Sequence, residues 1–185
     1  ASIVAVGAMR ESLFIRVMER VELWLYRSAR AIVVVTESFR EEIAARGIDV
    51  GKIHVVRNGV DAELFAPRGK DPALLAAHAL RADDFVVGYI GTHGMAHDLP
   101  NVIEAIASLA DHPRLRFAFV GAGAARARVE TLVAERGLDA VRLVAAVPRS
   151  QIPRWLGVCD ACLIPLRDSP VFAGVIPSKL FECQA

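Results

Sequence analysis

Residues 85–123 read FVVGYIGTHGMAHDLPNVIEAIASLADHPRLRFAFVGAG. The apolar stretch Phe85–Val87 has the length of a buried strand; Phe85–Ile90 reads as that strand and stops at a glycine-containing loop, Gly91-Thr92-His93-Gly94. The stretch Leu99–Leu109 reads as a helix, Leu115–Val120 as a second buried strand, and Gly121-Ala122-Gly123 as a second glycine loop. The same alternation continues on the C-terminal side. It predicts a helix over Ala124–Arg136 ended by Gly137, a strand over Val141–Ala145 and a short helix opened by Pro148 and Ser150, reaching about Leu156. A strand over Ala161–Pro165, a loop over Leu166–Ile176 and a last helix near Pro177-Ser178 complete it. Strands alternating with helices point to an α/β fold with a parallel sheet and right-handed crossovers. Ligands of such sheets bind at the carboxyl ends of the strands.

On the N-terminal side, Arg10–Arg30 has the period of an amphipathic helix. Leu13, Val17, Val21 and Leu25 form its stripe, widened by Phe14, Met18 and Trp24. Its mixed charges favour a helix packed on a sheet over one lying on a membrane surface. A strand over Ala31–Val35 follows, then a helix over Phe39–Ala45 with Thr36 and Ser38 as candidate caps and Gly47 as its stop. A strand over Lys52–Arg57 runs into Asn58-Gly59, a pair suited to a tight turn with positive φ. The stretch Phe65–Pro72 holds two prolines and a glycine and is the best linker candidate.

The chain has 185 residues, 54% of them hydrophobic and 23% charged. It can therefore bury a core, and a mainly disordered chain is excluded. A net charge of +1, from 22 Lys+Arg and 21 Asp+Glu, gives no electrostatic case for nucleic acid. No apolar run approaches the ~18 residues of a membrane span. Three cysteines are too few and too odd in number for a disulfide framework and fit a reducing compartment. With no initiator Met, no signal peptide and no stop after the last helix, both ends read as cuts in a longer protein.

Each motif has two readings. The Gly91–Gly94 loop could cradle an anion with its amides, aided by His93 and His97, or simply turn the chain. His93 and His97 have a metal-pair spacing but no third ligand, so no metal is expected. Gly121-Ala122-Gly123 starts like a dinucleotide fingerprint, but the third position is Arg126 and no acidic residue follows near the next strand end. Cys159-Asp160-Ala161-Cys162 matches C-x-x-C at the entry to a strand, where packing thiols are expected; Cys183 reads likewise. The segment Ile176-Pro177-Ser178-Lys179-Leu180-Phe181-Glu182 is the richest. It offers a diphosphate a hydroxyl, a cation and backbone amides, and a sugar a carboxylate, or else it is a capped helix with a surface Lys179–Glu182 pair.

Four stretches, in order, resemble the retaining GT-B glycosyltransferases of family 4, with their glycosyl transferases group 1 domain. They are Val33–Ser38, Val56–Phe65, Tyr89–Gly94 and Ile176–Glu182. The G-T-H-G and I-P-S-K-L-F-E forms are similar to a subgroup that makes bacterial cell-surface polysaccharides, often with amino sugars. The resemblance implies two facing Rossmann-like domains with parallel sheets, truncated here at both ends. Residues 1–62 would be the C-terminal part of the acceptor domain, 63–71 a linker and 72–185 an incomplete donor-binding domain. It implies transfer of a sugar from a nucleotide-diphosphate sugar to an acceptor hydroxyl with retention, without cofactor or metal. The partners would be that donor and a saccharide or lipid-linked acceptor. The setting would be the cytoplasm, at the inner face of the membrane, with any peripheral membrane contact made by missing parts.

By the same resemblance Glu182 would bind the ribose, Lys179 and the Pro177-Ser178 backbone would face the diphosphate, and Gly91, Thr92, His93 and Gly94 would approach it from the other loop. Val147 would line the base pocket. The resemblance assigns no catalytic residue within the chain beyond charge stabilisation by Lys179, and the fragment alone is expected to be inactive. Gly174 stands where the family often has the first Glu of an E-x7-E pattern, and Thr92 and His97 stand where many members have Arg and Lys. The rival readings are a GT-B nucleotide-sugar 2-epimerase and a non-catalytic module that binds nucleotide or a partner.

Overall fold

The computed structural model describes residues 13–109 and 111–185. They form two compact units: the chain up to Gly59 with 168–178, and 60–167 with 179–185. The start of the expected first helix, Arg10 to Ser12, lies outside the described residues, as does Ala110.

The first unit contains helix α1 (Leu13–Ser28), strand β1 (Ile32–Val34), helix α2 (Glu37–Ala45) and strand β2 (Ile53–Val55). The strands pair in parallel, Ile32 opposite Ile53, over a small core of Ile32, Val34, Ile43, Ile48 and Ile53. Thr36 is the cap of α2, its Oγ1 accepting from the Phe39 amide at 3.2 Å, and Gly47 leaves the helix at φ +81°. The carbonyls at the end of α1 are satisfied by Lys52, whose Nζ donates to Tyr26, Arg27 and Ala29.

Two expectations are corrected here. The face of α1 that packs on this core carries Tyr26, not the long apolar stripe. Leu13, Phe14, Val17, Met18, Val21, Trp24 and Leu25 are all exposed among the described residues. Neither Asn58 nor Gly59 has positive φ. The chain turns slightly later, where Asp61 accepts from the amides of Leu64 and Phe65 and so supplies the turn that the Asn-Gly pair was expected to make.

The second unit holds helix α3 (Pro72–Ala77), strand β3 (Phe85–Ile90), helix α4 (Leu99–Ala107), strand β4 (Leu115–Val120) and helix α5 (Arg126–Glu135). Strand β5 (Val141–Val144), helix α6 (Ile152–Val158), strand β6 (Ala161–Cys162) and helix α7 (Lys179–Gln184) follow. Helix α3 was not expected. Asp71 caps it through the amides of Ala73 and Leu74, with Pro72 in its first turn. The Pro-rich stretch before it is packed rather than loose: Phe65 is buried, and a Cβ on Gly157 would meet Arg68 at 3.1 Å.

All four strands are parallel, in the order β5-β4-β3-β6. Their side chains alternate as a period of two requires. Tyr89, Phe117 and Phe119 pack with Ile103, Ile106, Val129 and Leu132 of α4 and α5 on one face. Val86, Ala118 and Val120 pack with Leu75, Trp155 and Val158 of α3 and α6 on the other. The chain moves outward from β3 to β5 and then returns to β6 on the opposite side of β3. Strand order therefore reverses at β3, and the crevice of such a sheet opens beyond the carboxyl end of that strand.

Candidate nucleotide-sugar site

Gly91, at φ +146°, directly follows the carboxyl end of β3. A Cβ there would stand 2.9 Å from Nζ of Lys179, so the missing side chain makes room for that cation. Lys179 does not form the surface pair with Glu182. Its Nζ is buried, has no hydrogen-bond partner among the described residues, and lies 4.0 Å from the centroid of the Tyr89 ring. Burial pulls its pKa down to about 8, against the opposing effect of Cys183 and Glu182. At pH 7 it is still mostly a cation, with its donors uncommitted. Lys179 and Glu182 line a water-sized cavity of about 10 Å³ with Ile90, Ile152, Cys162 and Cys183.

Beside it opens a cleft of about 220 Å³ lined by Ile90, Gly91, Thr92, Gly121, Val147 and Ile152, among others. Two amides of the first loop are committed to the neighbouring strand end: Gly91 donates to Val120 and His93 to Ala122. The Thr92 and Gly94 amides make no hydrogen bond among the described residues. A wider hollow of about 660 Å³ involves Asp84, Phe85, Arg114 and Leu115, at the amino ends of β3 and β4. That is the wrong end of a parallel sheet for its ligand.

The second glycine loop is interlocked with the first. Gly121 and Gly123 have φ +151° and +153°. A Cβ on Gly121 would collide with the Gly91 carbonyl, and one on Gly123 would lie 2.6 Å from the His93 carbonyl oxygen. Arg126, at the third position of that loop's apparent fingerprint, donates to the carbonyls of Gly121 at 3.1 Å and Val144 at 2.8 Å. It ties the ends of β4 and β5 together.

Residues 70–183 match the family model for glycosyl transferases group 1, and residues 7–64 match that for glycosyltransferase family 4. The chain belongs to the group 1 glycosyl transferases. It is 31% identical over 150 residues to the 2-deoxystreptamine glucosyltransferase of Streptomyces kanamyceticus, covering 78% of this chain and 39% of that protein. It is 36% identical over 95 residues to WcaI of Escherichia coli, which its name assigns to colanic acid biosynthesis as a glycosyl transferase; this covers 51% of the chain and 23% of WcaI. The chain thus spans well under half the length of these relatives. The GT-B fold is shared with HepE of Anabaena, solved with UDP and glucose, at a TM-score of 0.64 and 20% identity, covering 77% of this chain and 40% of that one.

Against this family, the residues expected at the donor site fall into groups. Gly91, Thr92 and Val147 share one cleft, and Lys179 and Glu182 share the cavity beside it. The Gly94 amide remains available, but the His93 side chain does not reach the cleft. It is fully buried, edge-on to Tyr89 and Phe119 at 5.6 and 6.4 Å between ring centroids. Burial, with smaller effects of Arg126 and Lys179, lowers its pKa to about 4, so the ring is neutral and adds no charge. His97 Nδ1 lies 3.1 Å from the Pro165 carbonyl oxygen, and among the described residues no three metal-ligating side chains group together. Pro177 and Ser178 precede α7 and cluster with the first unit. Proline has no N–H, so of that pair only Ser178 carries an amide donor.

Gly174 also belongs to the first unit. A Cβ there would lie 2.5 Å from Cβ of Ser38, so the glutamate many members carry does not fit this backbone. The thiol of Cys159 donates to the Trp155 carbonyl at 3.2 Å, and Cys162 and Cys183 line the small cavity with Lys179. Tyr89 and Arg126 were not singled out from the sequence. A tyrosine in an otherwise apolar buried strand, and an arginine just after a glycine loop, were the available signals.

Proposed function

We propose that this chain carries the donor half of a retaining glycosyltransferase of cell-surface polysaccharide synthesis. It binds a nucleoside-diphosphate sugar and supports transfer of the sugar to an acceptor hydroxyl. The observation that carries this reading is Lys179: a buried cation with no hydrogen-bond partner among the described residues, turned toward the glycine at the strand end rather than toward Glu182. In a site of low polarity such a cation is worth far more to a phosphate than an exposed one. The bond between the anomeric carbon and the β-phosphate oxygen breaks, and the acceptor oxygen takes the carbon as its proton passes to an oxygen of the departing diphosphate. Negative charge then grows on the departing diphosphate, opposite Lys179 and the free Thr92 and Gly94 amides. Glu182 is suited to accept from the ribose hydroxyls, and Val147 and Ile152 offer the base an apolar wall. The names of the relatives and the UDP bound to HepE support the same class of donor.

Calorimetric titration of UDP and GDP into the full-length gene product tests this. Lys179→Ala and Glu182→Ala should each weaken binding by about 1.5–3 kcal/mol, the value of a hydrogen bond to a charged group. The preferred nucleotide identifies the base. Binding of neither, or binding indifferent to both changes, removes the donor site and favours a non-catalytic module.

A further inference from the structure

Lys179 Nζ is buried and has no hydrogen-bond partner among the described residues. What holds it is Tyr89, fully buried in β3. The ring face lies 4.0 Å from Nζ, and the hydroxyl donates to the Thr92 carbonyl at 2.6 Å. That carbonyl belongs to the peptide whose N–H, on His93, donates to Ala122. The Thr92–His93 peptide is thus fixed at both ends. The next carbonyl, of His93, accepts from the Ala125 amide at 2.8 Å, which sets the plane of the Gly94 N–H. One side chain therefore touches both the cation and the amide loop.

We propose that Tyr89 is a positioning residue for the donor diphosphate, holding Lys179 by its ring face and, by its hydroxyl, the Thr92–His93 peptide that joins the free Thr92 and Gly94 amides. This rests on the donor-site reading above. An aromatic face stabilises a cation without occupying its N–H donors, unlike a carboxylate, so no ion pair has to break when phosphate arrives. The other groups around Lys179 do not take this role. Glu182 and Cys183 lie on its own helix, Cys162 lines the same cavity from β6, and His93 and His97 from the loop are kept neutral by burial.

The test is UDP affinity of the full-length gene product between pH 6.5 and 9, for the wild type, Lys179→Met, Tyr89→Phe and Tyr89→Leu. In the wild type, affinity falls as Lys179 of the free protein loses its proton, with an inflection near pH 8 that Lys179→Met abolishes. Tyr89→Phe keeps the ring, so the inflection stays, but binding weakens about two- to tenfold through the loosened loop. Tyr89→Leu also removes the π face. It moves the inflection down by about half a pH unit or more and weakens binding about two- to thirtyfold. A merely structural role would leave the inflection in place.

Wild-type affinity and inflection in both tyrosine variants would overturn the positioning role and leave the donor site standing. UDP affinity that Lys179→Met leaves unchanged would remove both. Should Tyr89→Leu not fold, the Lys179 ε-protons of the wild type decide: ring-current shielding supports the stacked cation, and unshifted resonances reject it.

Discussion

His93 shows what the site asks of a single residue. Its ring is sealed between Tyr89 and Phe119 with both nitrogens unpartnered among the described residues, and burial takes its pKa from about 6.5 to about 4. The unfolded chain therefore binds more protons than the folded one between those values, and stability falls as pH drops through that window. His97, lowered by burial as well, acts in the same sense. The lowered carboxylates Glu22, Asp71 and Asp160 titrate below about pH 4.5 and stay out of the upper part of the window. Thermal unfolding from pH 6.5 to 4.5 should show a falling midpoint. His93→Leu, which replaces unpaired nitrogens by apolar atoms, should flatten most of that fall and cost little at pH 7. An acid limb of unchanged slope in the variant would mean that His93 is protonated in the fold.

At the scale of elements, the ends of three parallel strands are joined by backbone contact and by one guanidinium. Gly121 and Gly123 let their loop touch the loop after β3, and Arg126 then spans the last carbonyls of β4 and β5. Arg126→Ala leaves both carbonyls to find other partners. It should cost about 1–3 kcal/mol in denaturant unfolding, and Lys, without the planar fork, should restore little of it. A loss within about 0.5 kcal/mol, the range of an ordinary surface change, would make the arginine a bystander. The strands that carry these loops were readable to the residue, Phe85–Ile90 and Leu115–Val120, because each is a mainly apolar run, rich in aromatic and β-branched residues and ended by glycine. Helix α3 was hidden in a Pro-rich stretch, although Asp71-Pro72 is a cap followed by a first-turn proline. The direction of Lys179 was not readable at all. An i,i+3 Lys–Glu spacing is the same in sequence whether the lysine pairs with Glu182 or turns inward to Tyr89, and only the packing of α7 against β3 decides it. The burial of His93 escaped for a related reason: a histidine in a glycine loop looks exposed until the second loop closes over it.

For the whole molecule, what matters is that seven apolar side chains of α1 stand exposed among the described residues. Leu13 is 81% exposed, Trp24 63% and Phe14 61%. Scattered apolar residues are ordinary on a surface, but a contiguous stripe of several large ones on one helix is not. The polar side of α1 is already used: Glu22 accepts from Tyr26 and Arg46, and the last turn is held by Lys52. The stripe is therefore free to bury itself against another surface. The 185-residue chain, which spans only 39% of a relative such as the 2-deoxystreptamine glucosyltransferase, should self-associate through it in dilute buffer. Sedimentation velocity over a hundredfold concentration range should show a heavier species that grows with concentration. Val17→Glu with Val21→Glu places two charges in the stripe and should return the chain to a monomer, because burying an unpaired carboxylate costs more than the apolar contact returns. A monomer at every concentration without the changes would show that the stripe is too small or too broken to drive association by itself.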